Sequence, residues 1–60
     1  MISYLKKMLK QNESVKLYMI DGATISVVHL KKTMSGMCLV IDEDNIEHLI
    51  NTRYIIQIEA

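Results

Sequence analysis

The chain has 60 residues, half of them hydrophobic and 23% charged, with no proline, tryptophan or phenylalanine; seven basic side chains balance seven acidic ones. So apolar a chain is not disordered, its uninterrupted apolar runs fall far short of the roughly 20 residues that cross a bilayer, and its single cysteine excludes an internal disulfide framework. One small domain in a reducing, cytoplasmic setting is expected, since the opening residues also lack the apolar stretch of a secretory signal. A chain this short buries only about 60% of its extended surface. A self-contained enzyme with its own cleft is therefore not expected. The surplus of Ile, Val, Leu and Met points to self-assembly, with a compact monomer as the alternative.

The zero net charge hides an asymmetry. Residues 1–33 carry six lysines against Glu13 and Asp21, a net +4, and residues 34–60 carry Arg53 against Asp42, Glu43, Asp44, Glu47 and Glu59, a net −4. Such a distribution sets a basic face against an acidic rim, or pairs opposite ends between subunits.

In chain order, the first element is a helix. Leu5, Met8 and Leu9 recur at i, i+3 and i+4, Ser3 stands before them as an N-cap, and Lys6, Lys7 and Lys10 fall on the polar side. Gln11 to Ser14 break it. A helix of about ten residues is marginal alone, so its apolar stripe is expected to close one end of an open barrel. After Ser14 the period changes to two: Val15, Leu17 and Met19 point one way, Lys16, Tyr18 and Ile20 the other. Asp21-Gly22 is a hairpin signal. Thr24 to Leu30 reads as a second strand, Lys31 to Gly36 as a polar turn, and Met37 to Ile41 as a third strand. Asp42 to Asn45 reads as a tight acidic turn and Ile46 to Ile50 as a fourth strand. Asn51, Thr52 and Arg53 interrupt it, and Tyr54 to Ile58 is a fifth.

The fold expected is mainly β: an N-terminal helix over 1–13, then a five-stranded, strongly bent antiparallel sheet over 15–59, an SH3-like open barrel in one domain. The first and last strands of such a barrel present open edges, and the hydrophobic run Tyr54 to Ile58 needs a cover.

Lys6, Lys7 and Lys10 are candidate phosphate contacts, with Lys31 and Lys32 as a second basic spot at a loop. Tyr18 is a candidate for base stacking or for interface packing. Asp42 to Asn45 fails as a calcium loop, because the sixth and twelfth places hold Glu47 and Arg53. His29, His48 and Cys38 are too few for structural zinc, which takes four ligands. Cys38 reads as a small buried hydrophobe. No metal, cofactor, small-molecule substrate or catalytic residue is expected.

Two stretches carry a family pattern. Val15-Lys16-Leu17-Tyr18-Met19-Ile20-Asp21-Gly22 is an apolar strand ending in an acidic residue and glycine. His48-Leu49-Ile50-Asn51-Thr52-Arg53-Tyr54-Ile55-Ile56-Gln57-Ile58 is an apolar pair, a polar interruption and a final apolar strand. In pattern and spacing this resembles the Sm-like family and, within it, the bacterial Hfq-like branch. Asn51-Thr52-Arg53 stands where that branch has Tyr-Lys-His, and Val27 stands near the family's second-strand glycine. The resemblance implies a homo-oligomeric ring, a hexamer, in which the fourth strand of one subunit pairs with the fifth of the next. It also implies an RNA chaperone that binds single-stranded RNA in post-transcriptional regulation, with Asn51, Thr52 and Arg53 lining the pore. A guanidinium at Arg53 keeps the cationic character of that position. The alternative function is a protein-interaction or assembly module that pairs an edge strand with a partner and binds no RNA.

Overall fold

The computed structural model describes residues 2–60. Helix α1 (Ile2–Gln11) is followed by strands β1 (Val15–Met19), β2 (Thr24–Met34), β3 (Met37–Asp42) and β4 (Glu47–Asn51), a 3-10 turn (Thr52–Tyr54) and β5 (Ile55–Glu59). All pairings are antiparallel, and the sheet runs β4-β3-β2-β1-β5. The described residues are therefore mainly β, with one α-helix and a single five-stranded sheet.

The sheet curls because β2 is long and broken twice. Its first half pairs with β1, from Val15↔Val27 to Tyr18↔Thr24. Its second half pairs with β3, from Val27↔Asp42 to Met34↔Met37, with register shifts at Val27/His29 and Leu30/Lys32. Each extra residue bends the strand and sharpens its twist. The expected turn over Lys31 to Gly36 shrinks to Ser35-Gly36, because Leu39, Cys38 and Met37 supply partners for Lys32, Thr33 and Met34. Pairing overrides the weak strand propensity of a lysine pair.

Other boundaries shift by a residue or so. Ser3 lies inside α1 and not at its cap, since Ile2 already joins the row that packs on the core. Ile46 belongs to the turn, and β4 starts at Glu47 and takes in Asn51. Tyr54 ends the 3-10 turn, so β5 begins at Ile55. The open edges are β4 and β5, whereas β1 lies inside, between β2 and β5.

The core is small. Leu5, Val15, Leu17, Val27, Cys38 and Val40 are fully buried, with Met19 and Ile55 nearly so. The β1 residues Val15, Leu17 and Met19 alternate with outward Lys16 and Tyr18, the period-two pattern of a half-buried strand. Leu5 is the one helix residue sealed in this core, and Ile2, Met8 and Leu9 pack around it. The helix thus rests on β1 and β2.

Turn chemistry fixes the connections. Gly22 (φ 92°) and Gly36 (φ 72°) adopt left-handed backbone that side chains disfavour, and Asn45 does so at 65° in the β3–β4 turn. Asp21 Oδ1 accepts the Ala23 N–H at 3.0 Å. Asp42 Oδ1 accepts the N–H groups of Asp44 and Ile46, each at 2.9 Å.

Candidate nucleic-acid interface

Lys6 and Lys10 are one helical turn apart, so both rise from the same flank of α1. That flank faces the second half of β2 across a groove. One cavity of about 310 Å³ is lined by Lys6, Leu9, Lys10, Val28, His29 and Leu30. A second, of about 250 Å³, is lined by Lys6, Leu30, Lys31, Lys32 and Thr33. They share Lys6 and Leu30 and form one track. Lys31 Nζ is 2.9 Å from Glu47 Oε2, a half-exposed pair that ties β2 to β4. Among the described residues, Lys6, Lys10 and Lys32 have no acidic partner. Their charge is open to an anion.

Lys7 is exposed but lines neither cavity. The groove gathers two of the three helix lysines and adds His29 and Lys32. Sequence alone marks Lys31 and Lys32 as a basic spot at a loop; pairing with β3, with a register shift between Leu30 and Lys32, places them on β2, on the same track as Lys6.

The Asn51-Thr52-Arg53 stretch carries the chain from β4 through the 3-10 turn toward β5, the two edge strands. Asn51 Oδ1 accepts the Arg53 N–H at 2.9 Å and caps the 3-10 turn. The Thr52 N–H and Oγ1 both donate to the Gly36 carbonyl, at 3.0 and 3.2 Å. The Ile20 N–H donates to the Tyr54 carbonyl at 2.8 Å. One short segment thus links the β2–β3 turn to the end of β1. Asn51 and Thr52 have their polar groups engaged in this link. Arg53 is exposed, and its guanidinium has no ion pair among the described residues.

Tyr18 sits on the outer face of β1, half-buried, and its hydroxyl donates to Glu59 Oε1 at 2.9 Å. That hydrogen bond, then partial burial and the carboxylate's charge, push the phenol's ionisation above its ordinary value. The acidic turn is organised around Asp42, whose Oδ2 lies 2.6 Å from His48 Nε2. Asp42 is held below the usual carboxylate range, first by His48 and then by the Ile46 N–H, with burial opposing. Cys38 is buried, and desolvation pushes its thiol up, which disfavours the reactive thiolate. Among the described residues no group of three metal-ligating side chains converges. Among the described residues no helix is long and apolar enough to cross a membrane.

A third cavity, of about 400 Å³, opens where the 3-10 turn meets the β1–β2 turn, lined by Met19, Ile20, Asp21, Ala23, Ile25, Ile50 and Tyr54. Nothing in the linear pattern joins residues 19–25 to Ile50 and Tyr54. They meet only because the 3-10 turn bridges the two ends of the sheet.

Compared with known proteins, the chain matches no family model, no curated protein and no solved structure.

Proposed function

We propose that this chain is an Sm-like, Hfq-like RNA-binding subunit that assembles into a homo-oligomeric ring, a hexamer, and holds single-stranded RNA in the cytoplasm. The observation that carries the reading is the groove in which Lys6 and Lys10 of α1 and Lys32 of β2 lie without acidic partners. A chain of zero net charge gains phosphate affinity only by clustering its cations, and a ring repeats the cluster around its axis. Support for the ring comes from the strand order, which leaves β4 and β5 as the two edges. Leu49 on β4 and Ile56 on β5 are more than half exposed in the single chain. Open apolar edges of this kind pair with another chain, and β4 against a neighbour's β5 covers both. Arg53, exposed on the 3-10 turn, adds one cation per subunit, while Asn51 and Thr52 hold that turn in shape.

The test is filter binding of uridine-rich and adenine-rich oligonucleotides at two salt concentrations. Salt-sensitive binding that falls on substitution of Lys6, Lys10 and Lys32 is the expected result. Absence of binding to either oligonucleotide at low salt removes the RNA reading and leaves the fold untouched. The same open edges favour the second reading, a module that accepts an extended protein segment at β4 or β5. A host-extract pulldown that returns one defined protein and no RNA favours it.

A further inference from the structure

We infer that His29 is a phosphate contact of the basic groove and that its protonation sets how tightly the groove holds RNA. The inference deepens the RNA reading and rests on it for the natural ligand, but it concerns a side chain outside the three lysines that carry that reading. Val27 is fully buried, and strict alternation along β2 would send residue 29 into the core as well. The register shift between Val27 and His29 breaks the alternation, and Val28 and His29 are both exposed. His29 thereby lines the cavity of about 310 Å³ together with Lys6 and Lys10 of α1. The other lining side chains, Leu9, Val28 and Leu30, neither donate nor accept hydrogen bonds. The imidazole and the two ammonium groups are that cavity's polar side chains.

Histidine is the side chain whose charge ordinarily changes between about pH 5 and about pH 8. The neutral ring donates one N–H, whereas the imidazolium donates two and carries a full charge. From α1, Lys6 and Lys10 face the cavity; along β2, Lys31 and Lys32 line the adjoining one; the β3 residue opposite His29 is Ile41. No carboxylate lines either cavity. Glu13, between α1 and β1, makes no ion pair with His29 among the described residues. Asp42 stands opposite Val27, and its carboxylate is taken by His48 and two backbone N–H groups. Glu47 is bound to Lys31. The positive charge that His29 gains is matched by no protein anion, and a phosphate takes that place. Phosphate favours the imidazolium. Binding therefore takes up a proton, and affinity falls as pH rises through the histidine range. Lys6, Lys10 and Lys32 give the groove a constant hold on RNA, and His29 adds a pH-dependent one.

The experiment measures binding of the full chain to a uridine-rich oligonucleotide without terminal phosphates, whose own charge barely changes over this range, at about pH 5.5 and about pH 8. The second probe is dextran sulfate, a polyanion without bases. The chain should bind both about tenfold tighter at the lower pH, and its salt slope for the oligonucleotide should be steeper there by about 0.7 for each subunit engaged. His29→Gln, which keeps a polar side chain, should hold at both pH values the affinity that the parent has at the higher one. His29→Lys should hold the tighter affinity at both. His48→Gln should keep the parent's pH dependence, because His48 faces Asp42 and lines neither cavity. Equal affinity at the two pH values overturns the inference and leaves the RNA reading in place. A pH dependence that survives in His29→Gln overturns it too. Dextran sulfate binding that follows pH through His29, without oligonucleotide binding, removes the RNA reading and upholds His29 as an anion contact. Absence of binding to either probe overturns both.

Discussion

A single carboxylate, Asp42, holds the β3–β4 turn and the start of β4 together. Two backbone N–H groups bind one of its oxygens, and His48 meets the other. Those partners favour the ionised form and depress its pKa. The unfolded carboxyl titrates at about 3.9. The stabilisation is therefore complete above that value and is lost as pH falls through the lower folded one. Urea midpoints should drop below about pH 4, and Asp42→Asn should be less stable at neutral pH with a shallower acid limb. An unchanged acid limb in that variant removes Asp42 as the organising group. Leu5 works at the same scale through packing. It is the only fully buried helix residue, so Leu5→Ala opens a cavity where α1 meets the sheet. A loss of about 2–5 kcal/mol is expected by denaturant unfolding, a large part of a small domain's stability.

The 3-10 turn shows how one element depends on two distant ones. Thr52 hangs from the Gly36 carbonyl by two hydrogen bonds, and Gly36 holds a φ of 72°. Nothing lies within 4 Å of a Cβ added at Gly36. Gly36→Ala therefore reports backbone strain alone, about 1–2 kcal/mol, read as a lower thermal midpoint. A variant as stable as the parent means that the turn relaxes freely. The strands themselves were legible in the sequence, because alternation at Val15, Leu17 and Met19 and the Asp21-Gly22 turn are local signals. What was not legible is non-local. The extension of β2 through Lys31 to Met34 depends on pairing with β3. The groove between α1 and β2 depends on where a bulge turns Lys32, and the third cavity depends on the 3-10 turn bridging both ends of the sheet. The Asn51-Thr52-Arg53 stretch was visible as an interruption. The cation at Arg53 was visible too, but the structural role of Asn51 and Thr52 was not, because the Thr52 bond to the Gly36 carbonyl spans 16 residues and the Asn51 cap needs the 3-10 turn already formed.

At the scale of the whole molecule, edges and charge act together. In the proposed ring, Leu49 and Ile56 meet across subunits, so Ile56→Lys puts a charge on the pairing edge and should yield a folded monomer by light scattering. A variant that stays assembled moves the interface elsewhere. Charge gives the complementary prediction, because the lysines are not equivalent. Lys6, Lys10, Lys31 and Lys32 line the groove, Lys31 is paired with Glu47, and Lys7 stands outside. Each phosphate neutralised on single-stranded RNA contributes about 0.7 to the slope of log affinity against log salt. Removing the three unpaired groove lysines, Lys6, Lys10 and Lys32, should flatten that slope by about 2 for each subunit engaged, whereas Lys7→Ala should change it little. Equal losses from Lys7 and Lys10 would mean that RNA reads the helix as a uniform basic rod, and the groove would have no part in holding it.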